Sequence, residues 1–312
     1  MYGGFWYHLR NAFKESNNSL YKILAINILV FLVVLVLRVV LTLSGGQEIY
    51  QTLRGFLMMP AAVPQFLVQP WTLLTYMFLH EGIFHILFNL LFLYWFGLLV
   101  HEYLGSRKLA NIYILGGIAG GALYLLMYNI SPYFSEVLPS AKMMGASAGV
   151  YAIVVAAATL SPNTSFFLLL LGPVKIKYIA IFYVLIAFAN SVGNNAGGEL
   201  AHLGGAALGF LYVNQLRKGR DLGRFIQAIG GFFEKLMTPR SKVKVSYRKA
   251  KSYTASSGGS YTSTTSSKTA PTVKVVETTQ EEIDAILDKI ADKGYDALSK
   301  EEKRKLFEFS KK

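Results

Sequence analysis

The chain contains no cysteine, which excludes a disulfide framework, a thiol protease and a cysteine-ligated zinc site. Aspartate is absent from residues 1–220. That rules out an aspartyl intramembrane protease, and also a Ser-His-Asp triad confined to this stretch. Charge is scarce as well. Only 16% of the 312 residues are charged and 53% are hydrophobic, with a mean hydropathy of +0.39, whereas about a quarter of a typical soluble domain is charged. Residues 1–216 hold most of the apolar runs and residues 217–312 most of the charge, the pattern of a membrane domain followed by a polar tail. The formal net charge is +13. Its basic residues flank hydrophobic stretches, where the positive-inside rule expects them, so nucleic acid is not an expected partner. The polar segment up to Ser19 is too long for a cleaved signal peptide, and no small-residue cleavage site follows the first apolar run.

A membrane helix needs about 20 apolar residues. Six candidate spans are present: Leu20–Leu43, Gly82–Val100, Leu109–Ile130, Gly145–Leu160, Tyr178–Val192 and Leu200–Leu216. The fourth and sixth are short and rich in Gly and Ala. Small residues let helix backbones approach closely, which places these two in the bundle centre. Arg10, Lys14 and Lys22 flank the first span, Arg107 and Lys108 separate the second and third, Lys175 and Lys177 separate the fourth and fifth, and Arg217, Lys218, Arg220 and Arg224 follow the sixth. The alternate loops are poor in positive charge, so both termini are expected in the cytoplasm. Arg38, near the outer end of the first span, can snorkel to the interface. The 44–81 loop is long and apolar, and is expected to lie partly in the interface.

The expected organisation is a cytoplasmic segment 1–19, a membrane domain 20–216, an amphipathic interfacial helix within 217–239, a flexible linker 240–278 and a helical hairpin 279–312. In Arg220–Met237 the apolar residues recur at helical spacing. Phe5, Trp6, Leu9 and Phe13 suggest a smaller interfacial segment at the start. Thr279 with Glu282, and Ser299 with Glu302, fit the capping-box pattern, and Gly294 suits a helix stop. Ile283, Ile286, Leu287 and Ile290 form one face that Leu306 and Phe307 can meet. The hairpin carries no chemistry and is a candidate docking module for an unknown partner.

Polar residues inside a membrane are costly and therefore candidates for function. His80-Glu81-Gly-Ile-Phe-His85 has one residue too many for the zinc motif His-Glu-x-x-His. Five residues of helix would rotate the two histidines apart. Gly145-Ala-Ser147-Ala-Gly149 matches the nucleophile elbow of α/β-hydrolases. That reading needs a strand before the serine and an acid between serine and histidine. Pro139–Met144 is a poor strand, and the one acid in the interval, Glu199, lies close to His202 in sequence. Taken alone, Gly145–Gly149 also reads as a small-residue helix contact, and Ala201-His202-Leu-Gly-Gly205 as a packing seam with a structural histidine.

Topology separates these readings. Ser147 starts the fourth span and His202 lies near the start of the sixth, and both spans run from outside to inside. The two side chains are thus expected at one depth, below the outer surface. Serine becomes nucleophilic when a base takes its proton, and neutral imidazole is suited to that near pH 7. Backbone N–H groups at the start of the fourth span can face a developing oxyanion. His85 and Asn89 share a face at the outer end of the second span. Tyr151, one turn below Ser147, can pack on the His202 ring. A transporter or channel would instead place paired ionisable groups at the bilayer midplane, where spans three to five have almost none. A non-catalytic binder of membrane helices is disfavoured only by the intact serine and histidine.

Together these residues resemble the rhomboid family of intramembrane serine proteases over about residues 20–216. Gly145-Ala-Ser-Ala-Gly149 is similar to the family's Gly-x-Ser-x-Gly motif, Ala201-His202-Leu-Gly-Gly205-Ala-Ala-Leu-Gly209 to its Ala-His-x-x-Gly-x-x-x-Gly motif, and His85-Ile-Leu-Phe-Asn89 to its His-x-x-x-Asn motif. The resemblance implies an all-α, polytopic six-helix bundle of bacterial type in the cell (inner) membrane, with a small soluble helical segment at its C-terminal end. It implies a Ser147–His202 dyad with no acid, an oxyanion hole of His85, Asn89 and the Ser147 backbone N–H, and support from Tyr151 and Gly145. No cofactor or metal is implied. Substrates would be transmembrane segments of membrane proteins, cut near the membrane surface within the lipid bilayer. One departure is Thr72, where the family often has Arg after Trp71, which puts the hydrogen bonding of the first loop in question.

Overall fold

The computed structural model describes residues 4–15, 17–168, 172–224, 226, 280–293 and 298–309. They fall into two compact units. Most of the expected interfacial helix 217–239, the linker 240–278, Thr279 and Gly294 lie outside the described residues.

The first unit is a helical bundle. It begins with α1 (Phe5–Arg10), α2 (Ser19–Leu43) and α3 (Gln47–Leu57). A two-residue strand β1 (Met59–Pro60), the short helices α4 (Val63–Val68) and α5 (Thr72–Thr75) and a 3-10 turn at Tyr76–Phe78 lead to α6 (Ile83–Leu104) and α7 (Ser106–Ile130). After β2 (Lys142–Met143) come α8 (Ser147–Leu160), the hairpin β3 (Ser165–Leu168) and β4 (Gly172–Lys175), α9 (Ile176–Ala189) and α10 (Ala196–Arg217). All six expected spans are helices, with ends shifted by a few residues. By length and composition α2, α6 and α7 can cross a membrane, and α8 and α9 are shorter apolar helices.

Packing separates the lipid-facing helices from the central one. α2 buries only its first turns, with Leu20, Tyr21, Ile23, Leu24 and Asn27, and exposes Leu29, Leu32, Val33, Val36 and Val40. α8 is nearly all small or β-branched and is buried along its length. It packs on α6, α7, α9 and α10. Lipid gives apolar side chains no hydrophobic drive to leave it, so helix association here depends on close packing. Gly205 and Gly209 supply that on α10. A Cβ at Gly205 would run into the Ala148 carbonyl oxygen, and one at Gly209 into that of Ala152.

The segment between α2 and α6 is more ordered than its composition suggests. Its backbone pairs Met59 with Met143 and Pro60 with Lys142 in an antiparallel ladder. The substitution at Thr72 leaves no gap. Thr72 is fully buried and its hydroxyl donates to the Gln69 carbonyl at 2.6 Å. Trp71 Nε1 donates to Phe56 O at 2.8 Å, and Thr75 Oγ1 to Leu57 O at 2.8 Å. The buried Tyr76 hydroxyl donates to Gly117 O on α7 at 2.7 Å. The β3–β4 hairpin lies between the fourth and fifth expected spans, where the sequence reading places no strand. Phe166 on β3 packs edge-on against Phe96 of α6.

At the start of the chain Phe5 packs on Tyr21 and Tyr94, whereas Trp6 is 77% exposed and Phe13 is also exposed. The described residues of the second unit form two packed helices, α11 (Gln280–Lys293) and α12 (Lys300–Phe309). Ile283, Ile286 and Leu298 form its core, with Ile290, Leu306 and Phe309 against them. Leu287, expected on this face, is exposed. The side chain of Phe307 lies outside the described residues. The capping box at Ser299 is formed in both directions: Ser299 N–H donates to Glu302 Oε2 at 2.7 Å and Glu302 N–H to Ser299 Oγ at 3.3 Å.

Candidate active site

Ser147 is the first residue of α8, and the first turn of any helix leaves backbone N–H groups without intrahelical acceptors. The chain enters this turn through Gly145, at φ +138°. A side chain there would be strained, and its Cβ would lie 3.1 Å from His85 Nε2. Gly145 N–H donates to the Tyr76 carbonyl at 2.9 Å, which ties the approach to Ser147 to the loop before α6. Pro139–Met144 contributes a strand of only two residues, so the turn is not the strand–turn–helix of an α/β-hydrolase.

His202 lies in the second turn of α10. Its Nε2 is 2.7 Å from Ser147 Oγ. The Tyr151 ring stacks on the imidazole at 4.2 Å between centroids and 8° between planes. Tyr183 of α9 meets Tyr151 edge-on at 5.7 Å. The expected serine–histidine pair and its aromatic support are thus brought together. The glycine ridge on α10 makes the 2.7 Å approach possible, because it lets the backbones of α8 and α10 come together.

Sequence reasoning missed one neighbour. Glu199 Oε2 lies 3.0 Å from His202 Nδ1. Glu199 is too close to His202 in sequence for the α/β-hydrolase arrangement, but residues three apart on a helix share a face. The first aspartate of the chain, Asp221, is engaged elsewhere: it accepts from the Tyr212 hydroxyl at 2.7 Å and from Gly223 N–H at 2.8 Å.

His85, Asn89, Ser147, Tyr151 and His202 line one cavity of about 1210 Å³. Phe84, Phe88, Phe92 and Val154 give it apolar walls, while Arg54 and Glu81, ion-paired at 2.9 Å, lie on its polar side. Asn89 is nearly buried and its Nδ2 donates to the His85 carbonyl at 2.8 Å. That bond uses one of two amide hydrogens. His80 stands ahead of α6 rather than on it, so the helical-rotation argument against a zinc motif does not apply. The His80 and His85 rings in fact meet edge-on at 5.1 Å. Burial, with His85 beside it, pulls the His80 imidazole down to about 3, so it is neutral. Among the described residues no group of three His, Asp or Glu side chains is arranged to hold a metal ion.

Residues 68–218 match the family model of the rhomboid domain. The chain belongs to the rhomboid family. The match starts later than the resemblance over 20–216: α2 and most of the loop after it fall outside, with Arg54 of the cavity lining, whereas His85, Asn89, Gly145, Ser147, Tyr151, Glu199 and His202 fall inside. The rhomboid is 29% identical over 163 residues to RHOMBOID-like protein 12, mitochondrial, of Arabidopsis thaliana, covering 48% of this chain and 47% of that one. It is 29% identical over 160 residues to Rhomboid-like protein 16, chloroplastic, of the same plant, covering 48% and 50%. With Rhomboid protease GluP of Bacillus subtilis (strain 168) it shares 32% over 194 residues, 61% of this chain and 33% of that one. The rhomboid thus spans half or less of the length of these curated relatives. It is an integral membrane protein of a protease family. Residues 277–312, which include the hairpin, match a family of unknown function, DUF6576.

Proposed function

We propose that this rhomboid is an intramembrane serine endopeptidase that cleaves transmembrane segments of other membrane proteins. The observation that carries the reading is the 2.7 Å approach of His202 Nε2 to Ser147 Oγ, made between two helices at the wall of a large cavity. His202 takes the hydroxyl proton as Ser147 Oγ attacks the scissile carbonyl. The tetrahedral oxyanion is met by the Ser147 backbone N–H, the His85 ring and the free hydrogen of the Asn89 amide. His202 then gives its proton to the leaving amine, and water hydrolyses the acyl-enzyme by the same route. The apolar walls suit a substrate helix that has partly unwound from lipid. The distribution of Lys and Arg supports an orientation with both termini cytoplasmic and the dyad near the outer face. The bacterial inner membrane is the proposed location, and the hairpin at 279–312 the proposed partner-docking module.

The test is cleavage of a model transmembrane substrate in proteoliposomes. Wild type should cleave, Ser147→Ala and His202→Ala should not, and a fluorophosphonate should label wild type but not Ser147→Ala. Cleavage that survives either substitution would refute the assignment.

A further inference from the structure

We propose that Glu199 is a positioning residue for His202, so that the site of this rhomboid works through three side chains rather than two. The proposal rests on the reading of Ser147 and His202 given above. Glu199 is the single acid in α10, on the turn ahead of His202, and its side chain is only 14% exposed. Its Oε2 is 3.0 Å from His202 Nδ1, and His202 Nε2 is 2.7 Å from Ser147 Oγ. An ionised carboxylate can only accept, and neutral imidazole carries one N–H. With that hydrogen on Nδ1, both contacts are hydrogen bonds: Nδ1–H donates to Glu199, and bare Nε2 accepts from the Ser147 hydroxyl. With the hydrogen on Nε2, the Nδ1 lone pair would face the carboxylate, and the ring could not take the serine proton. Glu199 therefore selects the tautomer that is competent as a base.

Two contacts divide the work of holding the ring. Tyr151 lies flat on it, at 8° between planes, and fixes the plane. Stacking leaves the ring free to present either edge. The carboxylate grips one edge and so aims the other at Ser147. The charged and titratable groups around His202 are Glu199 on its own helix, Tyr151 on α8 and His85 on α6. Glu199 alone among them is a carboxylic acid, and it lies where a carboxylate stabilises the imidazolium formed during attack. The competing role is structural. Glu199 also sits in the first turn of α10, where a negative charge favours the helix dipole.

The experiment uses the full chain in proteoliposomes with a model transmembrane substrate, and compares Glu199→Gln and Glu199→Ala with wild type, Ser147→Ala and His202→Ala. Both Glu199 substitutions should lower kcat by about 10- to 100-fold, taking as guide the range for carboxylates that orient metal-bound histidines, with KM and Tm unchanged. Fluorophosphonate labelling of Ser147 should slow in parallel. Sodium formate, against sodium chloride at equal ionic strength, should restore part of the kcat of Glu199→Ala by occupying the vacated site. If the Glu199 variants keep the wild-type kcat while Ser147→Ala and His202→Ala are inactive, the positioning role is overturned and the pair stands. A loss of Tm with no rescue by formate overturns it in favour of the helix-dipole role. If Ser147→Ala still cleaves, the underlying reading of the site fails instead.

Discussion

Gly205→Ala tests whether the contact between α8 and α10 sets the distance between serine and histidine. The new methyl group would overlap the Ala148 carbonyl oxygen, one residue past Ser147. Ordinary carbon–oxygen contact needs about 3.3 Å, so the two backbones must separate by roughly 1 Å. His202 lies one turn before Gly205 on the same helix, and moves with it. Adding about 1 Å to a 2.7 Å hydrogen bond takes it beyond bonding distance. A misplacement of that size costs about 100-fold in rate, equal to about 2.7 kcal/mol in the barrier. Overpacking should also cost about 1–3 kcal/mol of stability. The assays are turnover of a model transmembrane substrate, the rate of fluorophosphonate labelling of Ser147, and Tm in detergent. Both rates should fall together, because labelling needs the same activated hydroxyl. A Gly205→Ala variant that labels and cleaves at the wild-type rate, with an unchanged Tm, would refute the argument that this ridge sets the distance.

Tyr151→Phe should retain nearly full activity, because the stack on His202 uses the ring and not the hydroxyl. Tyr151→Ala should lose roughly 3- to 10-fold in kcat/KM, the equivalent of an aromatic pair worth about 0.5–1.5 kcal/mol; equal activity in the two variants would remove the stack from the account. In the hairpin, hydrogen bonds from Lys289 and from Ser299 hold the Glu302 carboxyl down at about 2, below its usual 4.5. A depressed acid stabilises the fold above its unfolded value and loses that contribution as pH falls toward the folded one. Amide protection across 280–293 and 298–309 in the full chain, taken relative to the intrinsic exchange rate at each pH, should therefore hold above about pH 4.5 and fall toward pH 2. Glu302→Gln should flatten that dependence, and an unaltered profile would argue against the capping box as its source.

The six spans were legible because two independent signals agree along the chain. Apolar runs near bilayer length mark the helices, and Lys and Arg alternate between loops. Ser147 and His202 were legible for the same reason, since charge counting puts both near the start of spans that run in the same direction. Glu199 was misread. Its three-residue separation from His202 argues against an α/β-hydrolase triad and the resemblance implies no acid, although that spacing brings two side chains to one helix face. His80 precedes α6, so helical rotation does not fix where its ring lies relative to His85. Thr72 puts the hydrogen bonding of the loop after α2 in question from sequence, but Trp71 and Thr75 reach carbonyls 15 and 18 residues back, at Phe56 and Leu57, and Thr72 bonds Gln69 locally. The β3–β4 hairpin gave little local signal, because four-residue strands carry too few alternations to register.

From the amino-acid order alone follow the membrane class, the helix count of the bundle, the central place of the small-residue helices and the identity of the serine–histidine pair. Each of these depends on composition, on run length, on short motifs or on the alternation of charge between loops. Only tertiary contact could bring Ser147 and His202, 55 residues apart, within 2.7 Å, since that distance depends on how closely two backbones pack at Gly205 and Gly209. Tertiary contact likewise turned one edge of the His202 ring toward Glu199 and the other toward Ser147. Side-chain direction is set by what packs around a helix, and spacing along the chain limits it without choosing it.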